Sequence, residues 1–316
     1  MLLSLGDSGE DVRQLHRRLG AAGFLTGPVD NWDLYGSATE RAVSDFQADR
    51  GLPETGVCDD ITWSALLEAW WDLGDRPLML RSPNLRGDDV GELQRILSRL
   101  GFDCGRIDGI FGPLAARALT DFQFNAGLTA DGMCHPDTVA YLRLLSKKTG
   151  DGPGIAAVRD SEEARTGQPL EGLRVAVGQF GELEHLQAAL CSAVRGHGAM
   201  LIEFAETDPS EHWKKANLFG ADVYVGFEVL EEPTRRISYY SVPAFESAGG
   251  RALAHLAERH LRDVVPGVRI EGMRVPILRE TKMPAILISL GPKTIISDRA
   301  QRIAEAIFLA LTAWAP

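Results

Sequence analysis

The chain has 316 residues, which suits two or three domains, and 45% are apolar against 24% charged, the balance of a globular protein with real cores. A net charge of −11 argues against nucleic acid and anionic lipid as partners, since both select basic surfaces. No apolar run reaches the roughly 18 residues of a membrane span. The four cysteines, Cys58, Cys104, Cys134 and Cys191, form no C-x-x-C pair and read as small buried hydrophobes in a reducing compartment. The opening Met1-Leu2-Leu3-Ser4-Leu5-Gly6-Asp7 has no basic stretch, apolar core or cleavage site of a secretion signal, so a cytoplasmic location is expected.

The first organising feature is an internal repeat. Gly9-Glu10-Asp11-Val12 with Leu15 and Leu19 returns as Gly87-Asp88-Asp89-Val90 with Leu93 and Leu97. Gly23-Phe24 returns as Gly101-Phe102, Phe46-Gln47 as Phe122-Gln123, Gly51-Leu52 as Gly127-Leu128, and Cys58 as Cys134. One loop is longer in the first copy, where Asn31-Trp32-Asp33-Leu34-Tyr35-Gly36 faces Gly109-Ile110-Phe111-Gly112.

Within each copy the spacing predicts three short helices. Val12, Leu15 and Leu19 form one apolar face, Ala38, Ala42, Val43 and Phe46 a second, and Ile61, Trp63, Leu66 and Leu67 a third. Asp7 or Ser8 and Asp59 or Asp60 are placed to cap helix starts, and Gly20, Gly23 and Gly51 to end helices. Two small all-α three-helix modules follow, over residues 1–75 and 76–147.

This pattern resembles the peptidoglycan-binding domain 1 family, on G-x-D-V-x-x-L, G-F, D-G-x-F-G, F-Q and G-L-x-x-D-G. The first copy departs at Asp33-Leu34-Tyr35 and at Thr55, where the second has Asp131. The resemblance implies peptidoglycan fragments or precursors as ligands. Asp30 and Asp108 read as turn residues, and Phe46 and Phe122 as core. A sugar–peptide ligand needs a flat apolar platform plus amide hydrogen bonds. The binding candidates are therefore Trp32, Tyr35 and Phe111 in the loops, with Gln47 and Gln123 beside them. Trp70-Trp71, at the end of the first module, is expected to pack between the modules.

Residues 148–172, rich in glycine and charge, are expected to form a weakly structured linker. From 173 to 316 strand-like and helical patterns alternate. Strands are expected near 174–180, 199–204, 222–229, 236–242, 275–278 and 285–288, and helices near 183–195, 210–219, 244–264 and 298–311. Such alternation predicts an α/β domain with a mostly parallel sheet and helices on both faces.

Ala216-Asn217 before Ala221-Asp222-Val223-Tyr224-Val225, then Ser238-Tyr239-Tyr240, then Leu278-Arg279-Glu280-Thr281-Lys282-Met283-Pro284-Ala285-Ile286-Leu287, resemble the zinc-dependent N-acetylmuramoyl-L-alanine amidase (amidase 3) family. That family holds zinc with two His and one Glu, and a second Glu takes a proton from the metal-bound water. Laid on this chain, the first ligand position falls at Gly178-Gln179-Phe180-Gly181-Glu182, with Gly181 where a histidine would stand. The second histidine position holds Glu228, the catalytic glutamate position holds Ser289, and the loop bearing the ligand glutamate is missing. The resemblance therefore implies a pseudoenzyme whose metal site has degenerated, and no cofactor is expected, zinc included. Glu182, Glu184, His185 and Glu228 are the weak metal candidates that remain.

Two modules followed by a degenerate amidase domain resemble the actinobacterial CwlM group. That resemblance implies a catalytically inactive cytoplasmic regulator of peptidoglycan precursor synthesis, with UDP-N-acetylglucosamine carboxyvinyltransferase as a partner. The alternatives are an amidase with a remodelled metal site and a peptidoglycan-binding wall protein.

Overall fold

The computed structural model describes residues 2–25, 31–146, 154–158, 170–204, 208–242 and 245–314. Asp30 and most of the expected linker lie outside them. The chain divides into two compact units, Met1–Val158 and Arg159–Pro316.

In the first unit, α1 (Glu10–Ala21), α2 (Ser37–Asp49) and α3 (Asp60–Glu68) build one bundle. Its counterpart is α4 (Asp88–Arg99), α5 (Pro113–Asn125) and α6 (Pro136–Ser146). The predicted stripes are the cores. Val12, Leu15, Leu19, Val43, Phe46 and Leu66 are buried in the first, and Val90, Leu93, Leu97, Leu119, Phe122 and Leu142 in the second. Each module is stitched by the same antiparallel bridge, Leu3 with Cys58 and Leu78 with Cys134. All four cysteines are free and buried, and burial raises the thiols of Cys58, Cys134 and Cys191 to about 12, so they stay protonated.

The two modules are joined by polar contacts. Arg50, capping α2, pairs with Asp88 at the start of α4. Within the second module, Arg76 donates through Nε to Asp89 Oδ2 at 2.7 Å and through Nη2 to Asp89 Oδ1 at 3.0 Å. Its guanidinium lies 4.8 Å from the Trp71 ring centroid. Trp71 thus sits at the joint as the sequence suggested, whereas Trp70 faces Arg18 on α1. Residues 154–158 depart from the expectation of a linker: they form a helical turn whose Ala156 is buried and bonded through its N–H to Ser98 Oγ at 3.1 Å.

The second unit is a seven-stranded mixed sheet in the order β2–β1–β3–β7–β4–β5, with β6 also on β4. The strands are β1 (Arg174–Phe180), β2 (Met200–Glu203), β3 (Val223–Val229), β4 (Arg235–Val242), β5 (Phe245–Glu246), β6 (Arg269–Met273) and β7 (Ala285–Leu290). β2, β1, β3 and β7 run parallel, β4 is antiparallel to β7 and β5, and β6 is parallel to β4.

The helices are α7 (Glu184–Arg195), α8 (Pro209–Phe219), α9 (Ala248–Leu261), α10 (Pro276–Glu280), α11 (Lys293–Ser297) and α12 (Ala300–Trp314). One sheet face, with Val175, Val177, Val225, Phe227, Ile286 and Ile288, packs on α7, α9 and α12 through Leu190, Ala257 and Ile307. The stretch 275–278 corrects the sequence reading. It begins helix α10, because Pro276 at the first helical position presets φ and needs no N–H partner there. The strand lies earlier, at β6.

The Arg76–Asp89 pair yields a first prediction. Asp89 is only 1% exposed, so removing its cation strands a buried carboxylate. Arg76→Met should cost about 3 kcal/mol in the first unit, read as the loss of amide hydrogen-exchange protection across α4 in the full chain. A loss below about 0.5 kcal/mol, the level of a surface pair, would refute the importance of this buried pair.

Candidate functional site

Register fixes what meets at the carboxyl ends of the parallel strands. Phe180 of β1 is the partner of Glu228 in β3, and Glu228 is the partner of Ser289 in β7. Residues paired in register share a sheet face, so these side chains stand side by side. Ser289, fully buried, donates its hydroxyl to Glu228 Oε2 at 2.6 Å. The half-buried Glu228 carboxylate is thereby committed to its neighbour.

Gly181 follows β1 with φ +107°, a region that L side chains avoid. A Cβ built there would lie 2.0 Å from Val229 Cγ1 and 3.3 Å from Val229 Cβ. Gly181 therefore carries no side chain, and its backbone and its β3 neighbour leave no room for one. Glu182, also at positive φ (58°), is exposed and paired with Lys293, which holds its carboxyl below the usual range. Glu184 and His185 are exposed on the first turn of α7.

The donor chemistry at the strand ends is one glycine, one carboxylate and one hydroxyl, and no three His, Cys, Asp or Glu among the described residues are grouped so as to hold a metal. A zinc site of the family's kind does not fit these residues.

Beneath the strand ends lies a cluster that the sequence did not announce. His212 of α8 is buried, its ring stacked with Phe180 and Phe204, each at 4.6 Å between centroids and 20° between planes. Its Nδ1 is 3.0 Å from Tyr224 Oη, and burial drives the Tyr224 phenol well above its ordinary pKa. Gly178 is required here, since a Cβ would come within 2.4 Å of both His212 Nδ1 and Tyr224 Oη. In the sequence His212 looks like any helix-surface histidine. Its partners come from three other elements, which no local pattern links.

The module candidates are corrected as well. Tyr35 and Phe111 are fully buried in their cores instead of lining an opening. Tyr35 Oη donates to Gly56 O at 2.7 Å. Gln47, also buried, spends its amide internally: Oε1 accepts from Gly56 N at 2.9 Å, and Nε2 donates to Thr55 Oγ1, Val57 O and Thr62 Oγ1. Gln123 repeats this with Gly132 N, Asp131 Oδ1, Met133 O and Thr138 Oγ1. The F-Q pair and the residue before the motif glycine, Thr55 or Asp131, therefore lock the turn between two helices.

Of the five candidates only Trp32 keeps an exposed ring, at 51%. It meets His16 edge-on at 5.5 Å between centroids, and its carbonyl lies 3.1 Å from His16 Nδ1. A carbonyl only accepts, so Nδ1 carries the proton and Nε2 accepts from Thr39 Oγ1 at 2.8 Å. Burial holds the His16 pKa below its usual value, opposed by the Trp32 carbonyl bond. In the second copy Gln94 does this work, binding Asp108 Oδ1, Ile110 O, Asp108 N and Gly109 N.

Two helical repeats thus precede an α/β unit with a mixed, mostly parallel sheet. Residues 8–66 and 86–142 match the peptidoglycan binding domain family. The N-acetylmuramoyl-L-alanine amidase CwlM of Mycobacterium tuberculosis is 30% identical over 345 residues, covering 95% of this chain and 84% of that protein. The chain belongs to the CwlM-like N-acetylmuramoyl-L-alanine amidase family. The N-acetylmuramoyl-L-alanine amidase CwlL of Bacillus licheniformis is 32% identical over 166 residues, 46% of each protein. Among solved structures, the CwlD amidase of Clostridioides difficile, determined in complex with the GerS lipoprotein, matches 45% of this chain and 98% of its own at 10% identity and a TM-score of 0.36.

Two outcomes test this geometry. Gly181→His should lower stability by about 2 kcal/mol through the strained φ and the Val229 clash, without conferring zinc binding. A stable variant that takes up one zinc per chain would show the position to be open. Because the folded-state pKa of His16 lies below its unfolded value near 6.5, its contribution is complete above that pH and falls as pH drops through it. Amide protection in α1 should thus fall between pH 7.5 and 5, and less so in His16→Gln, the second module's own solution. Equal pH dependence of the two proteins would contradict this.

Proposed function

We propose that this chain is a catalytically inactive member of its family, acting in the cytoplasm as a regulator of peptidoglycan precursor synthesis. The observation that carries the reading is the Ser289–Glu228 hydrogen bond at the strand ends, beside a first ligand position closed at Gly181. Metal-assisted amide hydrolysis needs an ion held by three side chains and a free base for its water. Here the one carboxylate in place is engaged by a hydroxyl. A fold can outlive its chemistry, because the sheet is held by the apolar packing of the opposite face and needs none of those residues.

In this reading the repeats recognise peptidoglycan fragments or precursors, supported by their match to the binding-domain family. The α/β unit serves as a docking body for a biosynthetic enzyme, with UDP-N-acetylglucosamine carboxyvinyltransferase as the partner carried over from the family resemblance. The acidic balance of the chain supports a protein or small-molecule partner over nucleic acid. No helix among the described residues is long and apolar enough to cross a membrane.

The test is hydrolysis of purified muropeptides by the full chain with added zinc, followed by chromatography of the products. No cleavage between lactyl group and peptide is expected. Affinity capture of the tagged chain from the cytosolic fraction of its native cells should recover the carboxyvinyltransferase. Turnover that a chelator abolishes would instead establish an amidase with a remodelled site.

A further inference from the structure

The two adjacent tryptophans at the end of the first module part company. Trp71 joins the inter-module contact through Arg76. Trp70, 48% exposed, borders an open pocket of about 310 Å3 lined by Arg18, Ala22, Leu66, Ala69, Trp70 and Asp72. The pocket lies between the last turn of α1 and the residues that follow α3.

Arg18 is its chemical centre. Its guanidinium carbon is 5.4 Å from the ring centroids of both Trp63 and Trp70, so two indoles flank one cation. Among the described residues no carboxylate pairs with it. A half-buried guanidinium held by aromatic rings is ordered before a ligand arrives, so less side-chain entropy is lost when an anion binds. The rest of the lining supplies the other halves of a glycopeptide site. Leu66 and Ala69 also line it, Trp70 leaves 48% of its surface open to a sugar ring, and the Asp72 carboxylate can accept from an amide or amine.

The second module does not repeat this arrangement. By the alignment of the helices, Ile96 stands where Arg18 does and Ser146 where Trp70 does. Shared features such as the Gln47 and Gln123 locks maintain the module fold. The Arg18–Trp70 pair is absent from one copy, so the fold does not demand it.

We propose that this pocket is the ligand site of the first module and takes a carboxylate-bearing muropeptide, its sugar on Trp70 and its carboxylate on Arg18. The site rests on the reading that the modules recognise peptidoglycan fragments, and it places that recognition in one repeat only.

The test is calorimetric titration of the full chain with N-acetylmuramyl-L-alanyl-D-isoglutamine and with the same compound amidated at its free carboxylate. Trp70→Ala and Arg18→Gln should each weaken binding of the acid at least tenfold, while both keep the wild-type unfolding temperature. Amidation should weaken binding to the wild type and leave binding to Arg18→Gln unchanged. If the wild type binds and both variants bind equally well, the site is overturned while the modules remain fragment receptors. If the wild type itself fails to bind, the reading of the modules falls and the site with it.

Discussion

The parallel register of β1, β3 and β7 constrains everything at the mouth of the α/β unit. It sets Phe180, Glu228 and Ser289 in one row across three strands, so the chemistry available there is whatever those positions and the turn after β1 carry. The row sits on one sheet face, while the opposite face holds the aliphatic core under α7, α9 and α12. Changes at the mouth are thereby separated from the packing that keeps the sheet folded. Ser289 and Glu228 satisfy each other, and the stacked Phe180–His212–Phe204 rings fill the space below. The result is a closed polar pair over an aromatic layer.

The helical repeats obey a different constraint. Their motif residues face inward and fix turns: an amide from α2 or α5 holds the glycine corner that leads to the next helix. Such a lock must persist in every working copy, which explains why two copies in one chain keep the same spacing. It also explains why motif matching finds the fold while saying little about the ligand. The proposed ligand site uses positions the two copies do not share, Arg18 and Trp70.

Much of this was legible in the sequence. The apolar stripes at Val12, Leu15 and Leu19 and their repeats gave the helices, and the runs at Val175–Val177 and Ile286–Ile288 gave buried strands, because periodicity reports burial directly. The places of Glu228 and Ser289 at strand ends, and of Gly181 just past one, could be read by position. What escaped depends on tertiary context. Tyr35 and Phe111 sit in loops and looked like exposed platforms, yet both turn inward, and a loop gives no period from which to tell. Val275–Leu278 has strand composition, but Pro276 starts a helix there. His212 gains its meaning only from Phe180, Phe204 and Tyr224, far apart in the chain. The steric closure at Gly181 required the position of Val229 across the sheet.

The central claim is that the mouth of the α/β unit no longer builds a zinc site. Elemental analysis of the full chain, purified without chelator and dialysed against micromolar zinc and then metal-free buffer, tests it most directly. The account predicts far less than one zinc per chain, unchanged in Glu228→Gln. One zinc per chain that is lost in Glu228→Gln would contradict it.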